Sequence, residues 1–361
     1  MAVLLSEIQW SDPVLPAAHD AQWEAELKRR GAQVLDVDRR VAPSRWLREA
    51  AYEATNYIPA ALPERLHRIG NMVTAQENSC RYCYGANRAY MKVLGYSESF
   101  IQQVERDAQM AELDDKERAY IAFCRSLARS RPRPAAAERA ALLQSGYTPA
   151  QIGEIAYAIS FGCFYNRVST LLACPPEQKF ERMASGPFRW LLALAMPLMK
   201  KLTPGRPVEA SLDRAALAAG PFGVVLEPLA GLRAGRVMKA ALDGAFESGV
   251  LSRCVKALMF AVVARTLGCP HCEGAATRLL LEEGLSATEI ENALATLRCP
   301  RLAQREAGLL AWTRDTVYYE PSSIQQKTRT LGAALGDDAL LEAIGVASLA
   351  NGTVRLAMLV E

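Results

Sequence analysis

Cys80-Arg81-Tyr82-Cys83-Tyr84-Gly85-Ala86 is answered later in the chain by Cys269-Pro270-His271-Cys272-Glu273-Gly274-Ala275. Both cysteines recur at one offset (269 − 80 and 272 − 83 are each 189), and the same shift continues without a gap. It carries Leu94-Gly95-Tyr96-Ser97 onto Glu283-Gly284-Leu285-Ser286, Glu117 onto Glu306, Pro132 onto Pro321 and Ile155 onto Ile344. A single shift that superposes glycines, a proline and both cysteines of a motif reads as a tandem duplication. Each copy then carries one CxxC dithiol.

The rest of each copy reads as helix. Leu62, Leu66, Ile69 and Val73 fall on one helical face, and Val255, Leu258, Met259 and Val262 do the same in the second copy. Ser97-Glu98, Ser286 with Glu289, and Thr148-Pro149 ahead of Ala150 to Ser160 are helix-start signals. Only Gln33 to Val37 and Gly223 to Leu226 suggest short extended pieces. The expected fold is all-α, two tandem helical domains related by internal duplication. An N-terminal arm takes 1–30, the first repeat 31–176, a connector 177–208 and the second repeat 209–361. The connector holds an apolar run from Phe188 to Leu202, basic towards each end and interrupted by Pro197. It reads as a connecting helix, with a lid over an apolar substrate or a membrane-surface helix as alternatives.

Composition narrows the function. Half of the 361 residues are apolar, so each copy can bury a core unaided. A net charge of +3 with mixed signs gives no support for nucleic acid or an anionic membrane as partner. Nine cysteines in so long a chain are no disulfide framework. With no secretory leader read at Met1 to Trp10, the expected setting is a reducing cytoplasm. No Gly-rich loop follows a strand, and no cofactor or metal is expected.

Two thiols three residues apart on a helix can close to a disulfide and reopen, provided one ionises readily. Gly268-Cys269-Pro270 suits a helix start, and Ser79 offers a cap ahead of Cys80, placing both pairs at the positive end of a helix dipole. If one helix runs through the first pair, Glu77, Cys80, Cys83 and Asn87 form a polar stripe. Glu77 could then shuttle protons, with Arg81 and Arg88 offsetting its charge, and Tyr82 and Asn87 are candidate substrate-binding residues. In the second pair His271 stands between the cysteines and Glu273 follows. The candidate catalytic residues are Cys80, Cys83, Cys269, Cys272, Glu77 and His271. Cys124, Cys163, Cys174, Cys254 and Cys299 read as core residues, His67 as a solvated or capping histidine, and His19 as part of the arm.

These residues resemble the alkyl hydroperoxidase D-like (AhpD-like) and carboxymuconolactone decarboxylase superfamily. The first copy carries the resemblance best, through Gln76 to Ala89, Leu94 to Ser97, Lys116 to Phe123 and Phe164 to Arg167. The resemblance implies an all-α fold that assembles through subunit association. It also implies cysteine-based peroxidase or disulfide-reductase chemistry, with a hydroperoxide or disulfide as substrate and a dithiol or lipoyl-type reductant. Its proton relay uses a glutamate twelve residues before the first cysteine, here Arg68 or Ala257, and a histidine four after the second, here Asn87 or Ala276. Neither copy carries the full relay, and the histidine between the cysteines is matched by His271 alone.

Three readings follow. The first is a thiol-disulfide oxidoreductase with peroxide as oxidant, in which the first copy matches more of the motif surroundings while His271 favours the second. Another is a repurposed enzyme whose organic acid, lactone or biosynthetic substrate sits in the cleft between copies, the dithiols being bystanders. The last is a metal-binding protein in which both pairs supply thiolates to zinc. A fused pair of copies can satisfy internally an interface that single copies make between subunits, and a homo-oligomer of such fused units is the other expectation.

Overall fold

A computed structural model describes residues 11–106, 113–177 and 211–361, and among them every regular element is helical. The first half contributes α1 (Ala21–Arg29), α2 (Asp36–Val41), α3 (Arg45–Asn56), α4 (Glu64–Glu77), α5 (Arg81–Val93), α6 (Glu98–Arg106), α7 (Asp115–Arg129), α8 (Ala136–Gln144) and α9 (Pro149–Leu171). The second contributes α10 (Arg214–Ala218), α11 (Gly223–Leu226), α12 (Arg233–Glu247), α13 (Arg253–Thr266), α14 (Pro270–Glu282), α15 (Ala287–Thr296), α16 (Leu309–Asp315), α17 (Pro321–Leu335) and α18 (Asp337–Leu356). The apolar run Phe188 to Leu202 lies outside the described residues.

Helix boundaries follow the 189-residue offset. Adding 189 to the ends of α4 gives 253 and 266, the ends of α13, and adding it to α5 gives 270 and 282, the ends of α14. The starts of α3, α6 and α9 map to within one residue of those of α12, α15 and α18.

The capping chemistry at Thr148 and Ser286 falls where the sequence places it, and Asp114 adds a cap that the sequence reading did not single out. Thr148 and Ser286 accept from the amides of Gln151 and Glu289, and Asp114 does the same for Glu117. Neither short extended piece forms a strand: Gly223 to Leu226 is helical, and Gln33 to Leu35 stay irregular while Asp36 and Val37 enter α2. Asp38 accepts the Leu35 amide at 2.8 Å, so α2 opens at Asp36 and cuts the extended segment short. Gly223 starts a helical turn because its backbone lies against Ala218, where an added Cβ would stand 2.1 Å from the carbonyl oxygen. Helix α9 also outruns its expected end at Ser160. Its sequence is apolar on every side and meets no breaker before Leu171.

That all-round character reflects position. α9 and α18 lie side by side at the centre, buried along nearly their whole length, with α4 packed on α9 and α13 on α18. Gly352 sets their closest approach: a methyl there would stand 2.9 Å from the Ser160 carbonyl oxygen. Buried residues of both halves form one continuous cluster. The seam carries polar links as well. Trp46 Nε1 of the first half donates to Glu342 at 2.8 Å, and Glu342 pairs with Lys256 at 2.8 Å, both charges fully enclosed. Lys256 Nζ is satisfied further by the carbonyls of Ala245 and Ser248.

Candidate dithiol sites

Helices α5 and α14 begin at their own motif cysteines. Cys80 is the N-cap of α5 and its sulfur accepts the Cys83 amide at 3.3 Å; Cys269 caps α14 and accepts from Cys272 at 3.3 Å. Ser79, expected as the cap, instead turns the chain with φ 49° so that the sulfur faces the helix. Pro270 occupies the first turn of α14, where a missing amide proton costs nothing.

The first pair is sealed. The Cys80 and Cys83 sulfurs are 2.7 Å apart, within closing range of a disulfide of about 2.05 Å, and both residues are buried. Ser169 Oγ, from α9, lies 3.3 Å from one sulfur and 3.4 Å from the other. Burial pushes the Cys80 thiol up, but hydrogen bonds from Cys83, Ser169 and the Cys83 amide outweigh it and hold Cys80 below the usual thiol range. Burial and the adjoining Cys80 drive Cys83 the other way. Behind the pair, Asn78 accepts from Arg167 at 2.8 Å and donates to Asn166 and to the Cys163 sulfur. Tyr319 donates to the Asn78 carbonyl at 2.8 Å.

The second pair lies just beneath the surface, between exposed Gly268, Pro270 and His271. The hydrogen bond from Cys272 holds the Cys269 thiol below its ordinary value against the opposing effect of burial, with Arg133 adding to the depression. Cys272 is raised in turn, by Cys269 and by burial. Two residues distant in sequence complete the site. Glu361 Oε1 stands 3.4 Å from Cys269 Sγ, and its other oxygen pairs with Arg133 Nη2. Arg133 arrives from the loop between α7 and α8 and also reaches the Gly268 carbonyl at 3.3 Å and that of Leu267 at 3.4 Å. Its Nη1 is buried without an acceptor among the described residues, an arrangement that costs roughly 1–3 kcal/mol unless a partner arrives.

Residues 233–315 match the sequence profile of the carboxymuconolactone decarboxylase family. The matched segment runs from the first residue of α12 to the last of α16 and contains the whole second dithiol motif. It supports the resemblance, but in the second copy and not in the first, where the quoted motifs carried it best. No curated protein and no solved structure matched the chain.

Several expected site residues are placed elsewhere. Glu77 ends α4 while Cys80 begins α5, so no single helix carries the polar stripe. The Glu77 carboxylate is held by Arg129, at 3.1 Å through Nη2, and stands 3.9 Å from Arg125. Asn87 donates to the Asn71 carbonyl at 3.3 Å, and Arg88 is committed to Glu105 and Glu98. Tyr82 is buried and its hydroxyl donates to Glu177 at 3.3 Å. His271 is exposed and makes no hydrogen bond among the described residues.

His67 is not solvated: it is buried on α4, with Nε2 against Asn71 at 3.2 Å and Nδ1 without a partner among the described residues. The zinc reading has no geometry behind it, since among the described residues no three ligating side chains converge. No described helix is long and apolar enough to cross a membrane. The residues missed by the sequence reading are Ser169, Asn78, Arg133 and Glu361. Ser169 lies just beyond the quoted stretch Phe164 to Arg167, whereas nothing local marks Arg133 or Glu361.

A broad groove of about 2380 Å³ runs between the halves, lined by α1, α3 and the start of α4 on one side and α12 on the other. His67, Arg68, Tyr57 and Arg233 line it, and none of the four motif cysteines does.

Proposed function

We propose that the chain is a tandem-duplicated dithiol–disulfide oxidoreductase that reduces hydroperoxides, working chiefly through Cys269 and Cys272. One observation carries this reading: Cys269 caps α14 with its sulfur just under the surface, its thiol lowered by Cys272 and Arg133. A thiol held low by hydrogen bonding and a nearby cation is the kind that attacks. The geometry thus favours the second pair, although the first keeps more of the motif's surroundings.

The chemistry is a two-electron exchange. The Cys269 thiolate attacks the terminal oxygen of R–O–O–H, forming an S–O bond while the O–O bond breaks. The departing alkoxide takes up the proton released by Cys269. Cys272 then attacks the sulfenic sulfur, the S–S bond forms, and hydroxide leaves with the Cys272 proton as water. An external dithiol reopens the disulfide by exchange, becoming the oxidised partner. The sealed Cys80–Cys83 pair is slower to meet any bulky partner.

The test is differential alkylation with peptide mass spectrometry, before and after one equivalent of an organic hydroperoxide. The expected result is a Cys269–Cys272 disulfide, reversed by a dithiol, formed ahead of any Cys80–Cys83 disulfide. All four thiols remaining reduced would overturn the peroxidase reading. That outcome would favour the second reading, a small organic substrate in the groove between the halves, which is supported by a large groove that contains His67 and no motif thiol.

A further inference from the structure

We propose that Arg133 is the residue that readies Cys269, and that Glu361 holds it in check. The inference rests on the dithiol reading above and adds a regulating pair drawn from outside the segment that matched the family profile.

The charged side chains of the elements that meet near Cys269 are mostly engaged elsewhere. On its own helix Cys272 donates to it and His271 points outward, while Glu273 is engaged by Arg265 of α13 at 2.5 Å. From α8, Arg139 is spent on the carbonyls of Met358 and Leu359, at 3.0 and 2.8 Å. Glu138 of the same helix accepts the Ala135 amide at 2.9 Å. That leaves Arg133 and Glu361. Their side chains are 5% and 13% exposed, so solvent screens neither strongly.

These two act on the sulfur with opposite sign. Arg133 lowers the Cys269 thiol and Glu361 raises it. The contact geometry explains the second effect. A carboxylate 3.4 Å from Sγ accepts the thiol hydrogen and so favours the protonated form, and the same carboxylate neutralises Arg133 through its other oxygen. With Glu361 in contact, the sulfur stays low but short of the depression that Arg133 and Cys272 would give without it. Arg133 Nη1, buried with no acceptor among the described residues, is the donor left over for an anion at this site. When Glu361 withdraws, the thiolate loses its competitor and the guanidinium gains an acceptor. Glu361 keeps the thiol; Arg133 makes the thiolate.

The Arg133 anchor explains why the device spans both halves. Its hydrogen bonds to Gly268 and Leu267 fix the guanidinium against the residues that lead into α14. It is a positioning residue as well as a charge, so charge and position need separate tests.

The experiment measures the rate of Cys269 alkylation against pH by peptide mass spectrometry, in the full chain, with Cys80 as internal reference. No hydroperoxide is present, so the result stands or falls independently of peroxidase activity. Glu361→Gln should shift the midpoint down by about one pH unit, roughly a tenfold gain in thiolate fraction below the midpoint. Arg133→Gln should shift it up by a similar amount, Arg133→Lys should recover part of the loss, and Cys80 should be unchanged throughout. A Glu361→Gln midpoint that stays put or rises overturns the checking role. An Arg133→Gln profile equal to the parent, or Arg133→Lys no better than Arg133→Gln, overturns the activating role. Circular dichroism of each variant identifies one that fails to fold, and Glu361→Asp, which keeps the charge, then serves as the second comparison and should match the parent.

Discussion

Tyr319 of the second half donates its hydroxyl to the carbonyl of Asn78, 2.8 Å away and two residues ahead of Cys80. The reverse contact exists at the other dithiol, where Arg133 of the first half reaches the carbonyl of Gly268, the residue before Cys269. Tyr318 closes the connection by donating to the Ser130 carbonyl at 2.7 Å. Each dithiol's lead-in is thus gripped by a loop from the opposite half. Arg167 reinforces one grip from within, donating to the carbonyls of Thr316 and Val317 and to the Asn78 side chain. Neither half would present its cysteines in this way alone.

Acid should destabilise the protein through His67. Burial, with Arg68 adding to it, pushes this imidazole down to about 3, so it is neutral when folded while the unfolded chain takes up a proton near 6.5. A depressed histidine contributes stability that is complete above the unfolded value and is lost as pH falls towards the folded one. Between pH 7 and pH 5 the loss should reach about 2 kcal/mol. Urea midpoints at both pH values, compared with a His67→Gln variant, isolate this group; an equal pH slope in the variant would count against it.

Removing one member of the enclosed Lys256–Glu342 pair should be far worse than removing both charges. Lys256→Met leaves Glu342 buried with only Trp46 Nε1 to satisfy it, a loss of about 3–5 kcal/mol. Adding Glu342→Gln keeps an acceptor for Trp46 and eliminates the stranded charge, and most of the stability should return. Chemical denaturation of the single and double variants reads the difference directly.

Two helical glycines should respond oppositely to alanine. At Gly352 the new methyl meets the Ser160 carbonyl at 2.9 Å and Phe164 Cβ at 3.4 Å, which forces α9 and α18 apart. Overpacking of about 1–3 kcal/mol should exceed a gain in helix propensity of up to about 1 kcal/mol. At Gly274 the nearest atom is the end of the Arg278 side chain, 4.0 Å away, so only the propensity gain applies. Thermal melts should therefore fall for Gly352→Ala and rise for Gly274→Ala.

Much of this architecture could be read along the chain. The apolar faces of α4 and α13, the capping residues Thr148 and Ser286, and the start of α14 at Cys269-Pro270 all express local rules of spacing and hydrogen bonding. Such rules need only a few neighbouring residues, which is why an all-α fold and two dithiols at helix starts were legible, although the cap of α5 is Cys80 and not Ser79. The polar stripe through Glu77 failed for a local reason as well. Ser79 adopts a left-handed conformation that breaks the helix between Glu77 and Cys80, and nothing in a serine announces it.

What the sequence by itself determined is the identity of the candidate thiols and the helices that present them. What only the tertiary structure decided is their surroundings: Ser169 against the first pair, Arg133 and Glu361 against the second, His67 buried rather than solvated. The physical reason is range. Propensity and capping act within a helical turn, whereas burial and charge act through space. The side chains that tune these sulfurs lie dozens to more than a hundred residues away along the chain, brought close only when α9 packs against α18.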